Sequence, residues 1–161
     1  MKTRIKNVNI VTANGIIENG ECVFTDVIEY VGKERKNADR TIDGENGYLV
    51  PGFIDLHCHG GGGLEFMDAS PSELKKIADF HLSHGTTSML ATTLAASDEE
   101  TISALERFGE YQKSNGDGTL VGVHLEGPCL NWAQCGAQNS RYMRLPKTFD
   151  LCTRKEQYPF I

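Results

Sequence analysis

The chain has 161 residues, 39% of them apolar and 24% charged, a composition that supports one ordinary core or one core plus a small appendage and does not mark a disordered chain. Its 16 basic and 22 acidic residues leave a formal charge of −6, which argues against binding nucleic acid or acidic lipid through the overall field; a small anionic ligand would need local cations. No stretch approaches the ~18 apolar residues of a membrane span, and the start, MKTRIKNVNIVTANG, lacks the apolar run of a signal peptide, so a cytoplasmic location is expected.

In chain order, residues 1–48 hold short β-prone runs, Ile5 to Thr12, Glu21 to Thr25 and Val27 to Val31. Turn signals at Asn14-Gly15, Asn19-Gly20 and Gly44 to Gly47 separate or follow them, as in a small all-β unit. At Tyr48 the character changes. YLVPGFIDLHCH is a largely apolar run of the kind expected for a strand covered on both faces, and residues 49–161 then alternate between strand and helix signals.

After the glycines Gly60 to Gly63, Ser70-Pro71-Ser72-Glu73 is a capping box with proline at the first helical position. Leu74, Ile77, Ala78 and Leu82 supply the apolar stripe, and the helix is expected to end at Gly85. Thr86 to Leu94 reads as a second strand. Ser97 and Glu100 form another capping box ahead of Ile102, Leu105 and Phe108 at helical spacing, before a turn at Ser114-Asn115-Gly116-Asp117-Gly118. TLVGVHLEG is the third strand. Three strands and two helices in alternation predict an α/β protein with a parallel sheet.

The chemistry lies at strand ends. His57 and His59 are two apart on a strand and project to one side together with Asp55, so two imidazoles can reach one cation. The plain alternative is a pair of histidines at a polar strand end. The glycine run that follows favours a ligand site, because backbone can approach closely there. By the same period, His124 and Glu126 share a face on the third strand, opposite Val123 and Leu125, before Gly127-Pro128. An isolated glutamate at a strand end is ordinarily solvated; a second polar strand end in one βα series argues for convergence. His81 and His84 lie on the first helix and read as surface or helix-end residues, His84 suiting the helix C-terminus. The five cysteines include no CxxC pair, which indicates reduced thiols rather than a disulfide framework.

The segment PGFIDLHCHGGGG at 51–63 resembles the metal-binding opening of the amidohydrolase superfamily. The glycine run with Phe66-Met67-Asp68, then His124-Leu125-Glu126-Gly127-Pro128, Leu130-Asn131 and Gly136-Ala137-Gln138, narrows the resemblance to the N-acetylglucosamine-6-phosphate deacetylase family. It implies a partial TIM-type (β/α)8 barrel, its first three strands at 49–161, preceded at 1–48 by part of a small β-sandwich. It implies Glu126 as ligand of the main catalytic metal, His57 and His59 as holders of a second, and Ala137 and Gln138 at the sugar phosphate. One or two divalent ions are expected, with zinc, iron, manganese and cobalt all compatible with imidazole and carboxylate.

The implied reaction is hydrolysis of the acetamide of N-acetylglucosamine 6-phosphate to glucosamine 6-phosphate and acetate, in a homodimer for the full-length family. No catalytic acid or base is assigned in this chain: the family's aspartate and two further histidines are expected on later strands. A barrel typically needs ~250 residues, so the chain reads as an N-terminal fragment, inactive alone, with an unpaired strand edge. Cys129 and Cys135 depart from the family pattern. The tail KTFDLCTRKEQYPFI shows no helical stripe, which suggests a frameshift near Pro146, the alternative being a divergent loop. The competing readings are another amidohydrolase acting on cyclic amides, which HLEGP and GAQ disfavour, and a non-catalytic truncated product. No basic stripe or aromatic platform supports a nucleic-acid or membrane partner.

Overall fold

Turn chemistry shapes the first sheet. A computed structural model describes residues 1–115 and 118–161, which fall into two units, Met1–Pro51 and Gly52–Ile161; the predicted turn at 114–118 lies partly outside the described residues. In the first unit, β1 (Thr3–Thr12) and β2 (Gly15–Phe24) form a hairpin closed at Asn14-Gly15. β3 (Ile28–Gly32) adds antiparallel to β2, while β4 (Arg40–Asp43) and β5 (Tyr48–Leu49) pair parallel to β1. Asn19-Gly20 is not a turn: it lies inside β2, where the register slips against β1 and Asn19 takes φ 50°. Asparagine tolerates the left-handed conformation that such an irregularity requires. Val8, Ile10 and Cys22 are the buried centre of this unit.

The second unit is α/β. β6 (Phe53–Cys58), β9 (Thr86–Thr92) and β10 (Leu120–His124) form a parallel sheet in the order β10-β9-β6. Between β6 and β9 come the short β7 (Gly60–Gly61) and β8 (Leu64–Glu65), then α1 (Pro71–Ser83); α2 (Asp98–Asn115) joins β9 to β10. Both capping boxes form. Ser70 N donates to Glu73 Oε2 at 2.9 Å and Ser97 N to Glu100 Oε2 at 2.8 Å, and the bonds from Ser70 and Ser97 hold both carboxyls below the usual carboxylate range. Helix α1 ends at His84, with Gly85 at φ 95° just beyond, a conformation that glycine adopts at little cost.

Leu74, Ile77, Met89, Leu105, Phe108, Tyr111 and Leu120 form the core between helices and sheet. Leu82, expected in that stripe, is 49% exposed. The run YLVPGFIDLHCH is not one strand covered on both faces. Proline at 51 separates β5 from β6, and β6 is the edge of its sheet, leaving Phe53, Ile54 and Leu56 at 61%, 70% and 61% exposure.

The tail also differs from expectation. Three short 3-10 turns lead to α3 (Leu151–Gln157), whose cap is Asp150 accepting from Thr153 N at 3.1 Å. Beyond it Tyr158, Phe160 and Ile161 pack on the core, and Phe160 O accepts from Val123 N at 2.9 Å on the edge of β10. A seven-residue helix needs only a cap and tertiary contacts, so no apolar stripe is required. No described helix is long and apolar enough to cross a membrane.

Candidate metal centre

Strand β6 ends at Cys58, so His57 lies in its last turn of pleat and His59 just past it. His57 N donates to Asp55 Oδ1 at 3.0 Å and Cys58 N to Thr92 Oγ1 at 2.9 Å, which ties this stretch to itself and to the fully buried end of β9. Phe66 N donates to His59 O at 2.8 Å. Strand β10 stops at His124, earlier than expected, and Glu126 lies in the connection after it. The alternation nevertheless persists: Val123 and Leu125 pack on the core, while His124 and Glu126 face the other way, toward His57 and His59.

Glu126 Oε2 is 2.9 Å from His59 Nε2 and 3.1 Å from His57 Nε2, and the two Nε2 atoms are 3.3 Å apart. Among the described residues, His57, His59 and Glu126 form the group able to hold a metal ion. The donor set fits a cation. His59 Nδ1 lies 3.3 Å from Thr92 O, which can only accept, so the ring proton belongs on Nδ1 and the Nε2 lone pair faces the carboxylate. Glu126 Oε2 is buried without a hydrogen bond. Lone pairs so arranged repel unless a proton or metal lies among them. A tetrahedral ion with bonds of ~2.0–2.1 Å separates its ligands by roughly 3.3 Å, which the observed 2.9–3.3 Å approaches.

His124 stands beside this group without joining it. Its ring lies 4.9 Å from that of His57, edge to face, and its Nδ1 is 3.1 Å from Leu56 O, so it reaches across the sheet from β10 to β6.

Ala137 and Gln138 occupy the long segment between β10 and α3. Ala137 is exposed, and Gln138 is half-buried with its Oε1 accepting from Ala95 N at 2.8 Å. That bond assigns the amide oxygen and leaves the Gln138 NH2 group as a donor. The segment is further tied by Arg144 N donating to Pro128 O at 2.9 Å. Asp98, the first residue of α2, accepts from Arg144 at 2.8 Å and Arg154 at 3.1 Å. Gly127 abuts Ala95, where an added Cβ would come within 3.1 Å of the alanine side chain, and its φ is 86°. A cavity of about 510 Å³ in this unit is lined by Glu65, Asp68, Glu99, Arg107 and Tyr142 among others, and none of the three candidate ligands borders it.

His81 was expected at the surface or the helix end, and it lies in the last turn of α1. It is half-buried, with Nε2 3.0 Å from Gly60 O and 3.6 Å from Cys58 Sγ. His84 is exposed at the helix end, as expected, its Nδ1 2.8 Å from Phe80 O. Position 81 faces back toward the glycine run, and a half-apolar helix position carrying histidine was the available signal.

No family model matches the chain. It is 34% identical to the N-acetylglucosamine-6-phosphate deacetylase of Bacillus subtilis over 95% of its own length and 40% of that protein's. The crystal structure of the N-acetylglucosamine-6-phosphate deacetylase from Pasteurella multocida superposes with a TM-score of 0.81 at 29% identity, over 92% of this chain and 40% of that one. A Mycobacterium smegmatis N-acetyl-D-glucosamine-6-phosphate deacetylase mutant, in complex with N-acetyl-D-glucosamine-6-phosphate, gives a TM-score of 0.73 at 29% identity, over 91% of this chain and 37% of that one. The chain thus spans about two fifths of the length of the relatives it matches. The 5% unmatched in the B. subtilis comparison is about eight residues, fewer than the fifteen that follow Pro146. The resemblance therefore continues past Pro146, against the expectation of a frameshift there.

Proposed function

From the chain's membership of the N-acetylglucosamine-6-phosphate deacetylase family, of whose members it spans about two fifths, we propose metal-dependent hydrolysis of the acetamide of N-acetylglucosamine 6-phosphate, with this chain supplying one side of the metal centre and one wall of the sugar-phosphate site. The observation that carries the reading is the convergence of His57, His59 and Glu126 from two strand ends, with the buried Glu126 Oε2 otherwise unpartnered.

The parallel strands with their intervening helices read as the first three βα units of a (β/α)8 barrel, and the first unit as part of a β-sandwich. Such barrels gather their active sites at the C-terminal ends of the strands, where these three residues stand. His59 presents an Nε2 lone pair because its Nδ1 lies at the Thr92 carbonyl, the Asp55 carboxylate holds the His57 backbone N–H, and Glu126 contributes the negative charge. A divalent ion held there supplies Lewis acidity to an amide carbonyl and lowers the pKa of water. Gln138, its oxygen held by Ala95, offers an uncharged N–H donor to phosphate oxygen, with Ala137 beside it leaving room. Protonation of the departing amine needs an acid beyond this three-residue group, which the reading assigns to the later strands that the resemblance implies, and on that reading the 161-residue chain by itself binds the ion without turnover.

The test is an assay of glucosamine 6-phosphate and acetate release by protein containing this chain, with Zn2+, Mn2+ or Co2+ supplied in turn. Metal-dependent release that disappears in Glu126→Gln supports the reading. Release indifferent to Glu126→Gln, or faster hydrolysis of a cyclic amide such as dihydrouracil, overturns it. Acetate release by the 161-residue chain alone would overturn its non-catalytic part.

A further inference from the structure

We infer that His81 is a positioning residue of the metal centre, fixing from helix α1 the backbone that leaves the two candidate histidine ligands; this rests on the metal-binding reading above.

The stretch from His57 to Gly60 is held bond by bond. His57 N is taken by Asp55, Cys58 N by Thr92 Oγ1, and His59 O by Phe66 N. The next polar group is Gly60 O. It accepts from the Cys58 thiol at 3.0 Å and from His81 at 3.0 Å. A carbonyl only accepts, so Nε2 of His81 carries the proton and donates. Both lone pairs of Gly60 O are thereby used, one by a thiol beside the ligands and one by a side chain 21 residues away on a helix.

The site is shaped for this contact. A Cβ on Gly60 would collide with the Leu64 carbonyl, and one on Gly61 would come within 2.6 Å of His81 Nε2 and 3.0 Å of Phe80. The glycines therefore let the chain lie directly on the imidazole. Helix α1 is itself anchored in the core by Leu74, Ile77 and Ala78, so its side chain is a rigid post for a segment that has no apolar side chains of its own from Gly60 to Gly63. His59 has its ring on the metal side and its carbonyl on this loop. Its direction depends on where the loop is held.

The experiment compares His81→Gln, whose amide N–H replaces Nε2–H, with His81→Leu and His81→Met, which keep bulk and lose the donor. Two quantities are read on the 161-residue chain: Co2+ affinity from its visible absorption, and amide hydrogen exchange over residues 59–66 without metal, with circular dichroism as the check on folding. The expected result is Co2+ affinity within about twofold of the parent for His81→Gln and ~10-fold weaker for the donor-less variants, which alone exchange faster at 59–66. Parent-like affinity and exchange in the donor-less variants would overturn the inference, as would equal losses in His81→Gln and His81→Leu. If the parent chain binds no Co2+, the metal reading fails separately. Exchange then decides: faster only without the donor supports the positioning role, and no difference overturns it.

Discussion

Two regions at one end of the same parallel sheet are held in place by different physics. His57, His59 and Glu126 converge because strands β6 and β10 deliver them, and their ligand atoms lie 2.9–3.3 Å apart. Ala137 and Gln138 lie on a segment with only 3-10 turns, held by a hydrogen bond from Ala95 N to the Gln138 amide oxygen, by Arg144 N on Pro128 O and by Asp98 gripping two arginines. Strand geometry is set by many ladder bonds at once and tolerates the loss of any one, which holds for His57 within β6, whereas His59 lies just past the strand and still depends on the Gly60 contact of His81. A segment held by a few side chains moves when one of them is changed.

Substitutions separate the two regimes. Glu126→Gln has the largest expected effect. It removes the negative ligand while leaving the strands alone, so Co2+ or Zn2+ affinity falls by more than ~100-fold with the thermal midpoint unchanged, as calorimetry and thermal unfolding would record. Gln138→Leu is expected to cost about 1 kcal/mol of stability through the orphaned Ala95 N–H, measured by urea unfolding, with metal affinity unaltered. Asp98→Asn costs less than about 1 kcal/mol, because the carboxylate is 49% exposed. Its signature is local: faster hydrogen exchange over 144–157, with 57–59 unmoved. Metal loss in Asp98→Asn would mean that the two regions are coupled.

Smallest is an acid effect within the first unit. Asp43 is held down to about 2 by the Glu45 backbone N–H, Lys6 and Asn7, from an ordinary 3.8. Its folded value is the lower one, so its contribution is present above pH 3.8 and disappears as pH falls toward about 2. A pH titration followed by NMR at residues 43–47 reads this directly.

The same division governs what the sequence made legible. Capping boxes at Ser70 and Ser97 involve residues three apart, and both helices begin where these place them. The pairing of His57 with His59, and of His124 with Glu126, follows from period two even though β10 ends two residues early. Convergence of the two pairs is different in kind: it depends on β9 lying between β6 and β10, which no local pattern encodes, and it was suggested by the alternation of the βα series and by the family resemblance. His81 does lie in the last turn of its helix, but its bond was not legible because the partner, Gly60 O, is a backbone atom whose position depends on how α1 packs. Helix α3 was missed although Asp150 and Thr153 carry its cap, because seven residues are too few for a periodic stripe. The division of YLVPGFIDLHCH at Pro51 was also readable in principle, since proline interrupts a strand ladder.

The central claim is that His57, His59 and Glu126 bind one divalent cation. Its most direct test is anomalous diffraction at the zinc absorption edge from crystals of the chain grown with Zn2+. The expected result is a single strong peak at ~2.0–2.2 Å from His57 Nε2, His59 Nε2 and a Glu126 carboxylate oxygen. A map with no peak there at saturating zinc, or with zinc held only by other residues, would contradict it.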